Sequence, residues 1–190
     1  MIVWVMATHL RTDLVRSFIP NRSLENQGRR AMDIPLIEQV KIQAQVLVPL
    51  VRVLQVELGE ERANSIVRKA LGDLYRKYGE KWWRKQGARD LGEKMASAFD
   101  GFAAGDALDY EVITQTPDAF EMNVTECRYA TFYKEIGVPE LGFLLTCSAD
   151  FTMAEGFGAD VQLTRTQTIL QGASHCDFRY AIKKSKQDTQ

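Results

Sequence analysis

The chain of 190 residues is 45% hydrophobic and 26% charged, ordinary proportions for a globular body that buries its own core. Its 24 Lys and Arg against 25 Asp and Glu leave a net charge of -1, which supplies no basic field for a nucleic-acid partner. No apolar run approaches the length of a membrane span, so no membrane partner is expected.

Residues 1–33 read as a poorly defined lead-in. The opening MIVWVMATHL lacks the basic n-region and small-residue cleavage pattern of a secretory signal, so a cytoplasmic location is expected. The polar, Gly-containing NRSLENQGRRAMD follows, and Met32 stands directly before a helix start, which makes it a candidate for the native beginning.

Residues 34–105 form a helical part. Asp33 is placed to cap a first helix, with Pro35 in its opening turn, where a missing N–H costs nothing. Leu36, Val40, Ala44, Leu47, Val51, Leu54 and Leu58 recur at three- and four-residue steps and make one apolar face. Pro49 bends that helix and Gly59 stops it. A second helix, EERANSIVRKALGDLYRKYG, buries Ala63, Ile66, Val67, Ala70, Leu74 and Tyr78 and closes at Gly79. A third, over residues 90–104, buries Leu91, Met95, Phe99 and Phe102.

From residue 106 to 184 the texture changes. Two short alternating runs flank Pro117-Asp118 and predict a β-hairpin. CRYATFYKEIG and PELGFLLTCSADFTMAEGF return to helical spacing; VQLTRTQTIL and HCDFRYAI alternate again around a QGAS turn. The order β-β-α-α-β-β predicts a small antiparallel sheet with helices on one face. The class is therefore α+β, an N-terminal helical part packed on this site-bearing part, with a polar tail at 185–190. The helical first half leaves a homo-oligomer open, but no heptad seam is sustained.

All three cysteines, Cys127, Cys147 and Cys176, lie in the last third, and an odd number argues for free thiols. Cys127 opens a helix, where exposed amides lower a thiol's pKa, which makes it the best-placed nucleophile on local grounds. Cys147 and Asp150 are three apart on one helical face; a carboxylate on the apolar stripe Leu144-Cys147-Phe151-Ala154 needs a cation or donors, and otherwise lies at a solvated helix edge. In HCDFRY a regular strand sends His175, Asp177 and Arg179 to one face and Cys176, Phe178 and Tyr180 to the other. His175 and Cys176 therefore share a site only if the strand is bulged. With no Cys-x-x-Cys pair, no metal site is expected.

The runs NVTECRYATFYKEIGVPELGFLLTCSADFTMAEGF and LTRTQTILQGASHCDFRY resemble the L-2-amino-thiazoline-4-carboxylic acid hydrolase family, as does the stretch from IPLIEQVK to ALGDLYRKYGEKWWR. The likeness covers most of residues 34–182 and is strongest from Asn123 to Tyr180. It implies a small-molecule substrate, without a cofactor: carbon–nitrogen bond hydrolysis in a cyclic amidine, opening a thiazoline to a carbamoyl-cysteine. In that setting Cys127, Cys147 or Cys176 would attack, with Cys176 carrying the more suggestive motif, or a water activated by His175 would take their place. His175 would relay protons. Asp150 or Asp177 would hold the amidinium and Arg179 the substrate carboxylate. The tail, with Gly172, Cys176 and Phe178, is also similar to 4-vinyl-reductase-type small-molecule-binding domains, which implies as the alternative a ligand- or zinc-binding accessory or sensor module without catalysis.

Overall fold

The computed structural model describes residues 34–183. Helix α1 spans Leu36–Leu58 and carries Pro49 inside it. Pro35 occupies the cap position itself, its carbonyl accepting from the N–H groups of Glu38 and Gln39; the cap expected of Asp33 lies outside the described residues. Ala44 and Val51 are buried as the periodicity requires, while a second apolar row, Ile42, Val46, Leu50 and Val53, is exposed. Gly59, at φ 80°, ends α1.

Helix α2 spans Glu60–Lys85 and runs straight through Gly79, which does not close it. Its buried face is also turned from the expected one: Ala63, Val67, Gly72 and Gly79 are buried, whereas Ile66 and Tyr78 are exposed. The reason is tertiary. Helix α6, Ala149–Phe157, crosses α2 so closely that a Cβ at Gly79 would strike the Met153 carbonyl, and one at Gly156 would strike that of Arg76. The glycines permit backbone contact and terminate nothing. The final turns of α2 carry Trp82 and Trp83, both packed on Phe157, with the Trp83 ring stacked at 5.2 Å.

Helix α3, Leu91–Ala103, begins with a full capping box: the Asp90 carboxylate accepts from the Glu93 N–H (2.9 Å), and Glu93 accepts in return from the Asp90 N–H (3.3 Å). Strands β1 (Leu108–Thr116) and β2 (Ala119–Cys127) form the expected hairpin around Pro117-Asp118. Helix α4 (Arg128–Glu135) and short helix α5 (Pro139–Gly142) follow. A π-helical turn over Phe143–Cys147 leads into α6, Ala149–Phe157. Strands β3 (Val161–Thr164) and β4 (Cys176–Ile182) complete an antiparallel sheet in the order β1-β2-β4-β3. The fold is α+β.

VQLTRTQTIL is a strand only as far as Thr164. The Asp177 side chain takes the Thr166 and Gln167 N–H groups, and Thr168 caps a 3₁₀ turn at Ile169–Gln171. Local side-chain acceptors thus displace the ladder that alternation alone predicts.

The inner face of the sheet pairs Phe120 with Tyr180, Met122 with Phe178 and Val124 with Cys176, and packs under Met95 and Phe99 of α3 and Phe157 of α6. A second cluster joins Ala44 and Val51 of α1 to Val67 of α2, Tyr133 of α4, and Leu144 and Leu145 of the π turn. Among the described residues no helix is long and apolar enough to cross a membrane.

Candidate active site

The π turn is where the local helical rules stop. The Ser148 N–H reaches back five residues to the Phe143 carbonyl (2.9 Å), one residue further than an α-helix allows. Such insertions recur at functional sites, because they re-aim the side chains that follow. Here they are Cys147 and, in the first turn of α6, Asp150.

Asp150 meets Arg165, which leaves the end of β3. One guanidinium nitrogen, Nη1, donates to the Asp150 carboxylate and Nη2 donates to the Cys147 carbonyl at 2.9 Å. The guanidinium lies over the rings of both Phe151 and Phe178, 5.0 and 5.2 Å from their centroids. The Arg165 side chain is 2% exposed, that of Asp150 34%. The carboxylate is therefore embedded in protein yet open on one side. Burial pushes its pKa up to about 6, against the opposing charge and hydrogen bond of Arg165. Phe151, besides covering Arg165, lines a shallow recess with Ala154, Val161 and Leu163.

The three thiols lie within electrostatic reach of this pair: each feels the charges of Asp150 or Arg165, and Cys147 feels both other thiols. Cys127 sits at the N-cap of α4, where Sγ accepts from the Ala130 N–H at 3.4 Å. The helix-end amides do lower its pKa, but burial is the larger effect and pushes it up to about 11, the reverse of the expectation from its position. Cys147 is raised further, by burial and then by the Asp150 charge. Cys176 is raised by burial, while its Sγ accepts from the Ile169 N–H at 3.3 Å. All three are protonated near neutral pH. Among the described residues no three of His, Cys, Asp and Glu are arranged to hold a metal ion.

The remaining candidates lie elsewhere. His175 precedes β4, its ring nitrogens 2.9 Å from Gln167 Nε2 and 3.0 Å from Ser174 Oγ. Asp177 accepts from the Thr166 N–H (2.9 Å), the Thr166 hydroxyl (2.6 Å) and the Gln167 N–H (2.9 Å). Burial works to raise its pKa, but the hydroxyl and amide donors outweigh it and hold it below the usual carboxylate range. Arg179 ties β4 to β2, donating to the Met122 carbonyl (2.7 Å), the Phe178 carbonyl (2.9 Å) and Asn123 Oδ1 (2.9 Å). Burial alternates along β4, with Cys176, Phe178 and Tyr180 buried as expected.

Two parts of the site escape sequence reasoning. Arg165 had a legible signal: in VQLTRTQTIL alternation puts it on one face with Val161, Leu163, Gln167 and Ile169, a cation on a largely apolar row. Tyr75 of α2 and Tyr180 of β4 had none. Burial lifts the Tyr75 hydroxyl to about 12 and raises the Tyr180 hydroxyl well above its ordinary value, and both also feel the Asp150 charge.

Asp150, paired with the buried Arg165, thus lies within electrostatic reach of three protonated thiols and of the Tyr75 and Tyr180 phenols. The sequence model of the L-2-amino-thiazoline-4-carboxylic acid hydrolases matches residues 39–180. The chain belongs to that family. The match contains Asp150, Arg165 and all three cysteines of this family member. No curated protein matches it. Among solved structures it is similar to the phenol-responsive sensory domain of the transcription activator PoxR with phenol, at 10% identity over 72% of each chain and a TM-score of 0.44. At that score the likeness carries no argument.

Proposed function

We propose that this protein hydrolyses a small cyclic amidine, with Asp150 as the general base. What supports the reading most is the state of that carboxylate. It is one-third open, held by a buried Arg165, and has its pKa raised to about 6, where a base is ionised at neutral pH yet still accepts a proton. Ionised Asp150 takes a proton from water as the water oxygen adds to the amidine carbon. The tetrahedral adduct then collapses: its hydroxyl becomes the carbonyl oxygen, the ring C–N bond breaks, Asp150 returns its proton to the departing nitrogen, and the hydroxyl proton leaves on the product as its ammonium group. For a 2-amino-thiazoline this yields an S-carbamoyl product with a free amine. Direct thiol attack fits less well, because burial holds Cys127, Cys147 and Cys176 protonated. In this reading they are walls, and the relay that sequence reasoning gives to His175 passes to Asp150.

The test is turnover of L-2-amino-thiazoline-4-carboxylate by the purified parent, Asp150→Asn and single Cys→Ala variants, with free amine and free thiol both assayed. Loss confined to Asp150→Asn, with amine released, is expected. Activity that survives Asp150→Asn and vanishes in one folded cysteine variant would return the mechanism to thiol attack. Binding without turnover in the parent would make the chain a ligand-binding module.

A further inference from the structure

Arg165 holds the carboxylate, but little on its own strand holds Arg165, since β3 ends at Thr164. The next residues are fastened from β4. Asp177 Oδ1 accepts from the main-chain N–H groups of both Thr166 and Gln167, and Oδ2 accepts from the Thr166 hydroxyl. One residue earlier on β4, the Cys176 thiol accepts from the Ile169 N–H. Adjacent side chains pointing to opposite faces of β4 thus pin one segment at both ends.

From this geometry we infer that Asp177 is a positioning residue for Arg165: by fixing the backbone directly after it, the Asp177 carboxylate aims the guanidinium at Asp150 and the Cys147 carbonyl. The inference rests on Asp150 and Arg165 being the working pair of the site. The energetics favour such a device. An arginine whose side chain is 2% exposed needs its partners in place, and three hydrogen bonds to a carboxylate hold a backbone more firmly than a bare extended connection.

The readout is the titration of Asp150 itself, followed by carboxyl-carbon NMR and assigned by its absence in Asp150→Asn. The other titratable groups that feel the Asp150 charge are Tyr75, Cys127, Tyr129, Cys147, Cys176 and Tyr180, thiols and phenols that are neutral near pH 6 even before burial raises them further. Arg165 is therefore the charge whose displacement the titration reports. In Asp177→Ala the Asp150 pKa is expected to rise by about one unit as the opposing cation withdraws. Asp177→Asn keeps one oxygen for the two N–H groups and should restore most of the parent value. Thr166→Val removes only the hydroxyl bond and should give a smaller rise; it reads the same linkage if Asp177→Ala does not fold. An unchanged Asp150 titration in a folded Asp177→Ala, or in Thr166→Val where that is the folded variant, would overturn the inference. Turnover measured on the same samples separates the two readings. A shifted Asp150 in a protein whose parent has no activity removes the proposed function and keeps the positioning role, and the converse result does the opposite.

Discussion

Asp150 and Asp177 are the same residue type on either side of the segment that carries Arg165, and their surroundings drive them in opposite directions. Asp150 is embedded among aromatic rings and thiols with one cation, and burial wins: its pKa rises to about 6. Asp177 lies on the outer side of β4 with one hydroxyl and two amide donors, and the donors win: its pKa falls. A carboxylate satisfied by fixed donors is a fastener. One that is desolvated, singly paired and partly open is poised to exchange a proton. Arg179 belongs with the fasteners, since both of its terminal nitrogens are spent on joining β4 to β2.

The sharpest break in this comparison is Asp150→Asn. If the inner carboxylate is the base, kcat should fall by roughly 10²–10⁴ with the melting transition retained. An equal loss in Asp177→Asn, which keeps an acceptor for the loop amides, would erase the distinction between the two acids. Next comes Arg165→Met, which leaves Asp150 embedded without its cation. Breaking a buried pair on one side costs about 3 kcal/mol or more, but Asp150 keeps a third of its surface in water, so a loss nearer 1–2 kcal/mol is expected in denaturant unfolding. The acid limb of the rate profile should move up in pH at the same time, because Arg165 is what holds the Asp150 pKa down.

The pH dependence sharpens the contrast further. A base with a pKa of about 6 is inactive when protonated, so activity should climb through pH 6 and level off above it. Stability separates the two acids by sign. The folded pKa of Asp150 is raised, so its contribution to stability is fullest below the unfolded carboxylate range and is lost as pH rises through about 6. The folded pKa of Asp177 is lowered, so its contribution is present above that range and is lost as pH falls through the folded value. Melting temperatures of the two Asp→Asn variants relative to the parent should therefore diverge with pH: Asp150→Asn gains from pH 4 to 7, and Asp177→Asn loses as pH rises from the most acidic conditions. Parallel curves would mean that the two environments do not differ as described.

What could be read from the chain alone follows the same divide. Helix α3, the Pro117-Asp118 hairpin and the alternation of β4 are local matters of period and turn chemistry, and they stand as expected; the Asp90 capping box was open to the same local reading but was not part of that expectation. The extent of α2 was not legible, because Gly79 is a stop signal locally and a contact point only once α6 is known to cross it. The π turn was invisible as well: FLLTC fits an α-helix locally, and nothing in its residue types marks the widening at which Leu144 and Leu145 enter the second core cluster. Cys127 was located correctly at a helix start, but its pKa was not, since burial by distant elements outweighs the nearby amides. Arg165 could have been found by asking why a cation stands among Val161, Leu163 and Ile169 on a largely apolar row.

The smallest expected effect is at Arg179, and it tests which side of the sheet the substrate meets. Arg179→Ala removes two bonds across the β4–β2 pair, one to the Met122 carbonyl and one to Asn123, so a stability loss of about 1–2 kcal/mol is expected. Its guanidinium is spent on the outer face, whereas Cys176, Phe178 and Tyr180 line the inner face near Asp150. KM and kcat should therefore stay within about twofold of the parent. A rise in KM of about tenfold at unchanged kcat would show that Arg179 grips the substrate carboxylate, as the resemblance alone implies. The ligand would then lie across the outer face of β4, and Asp177, beside it on that face, would become the acid to pursue.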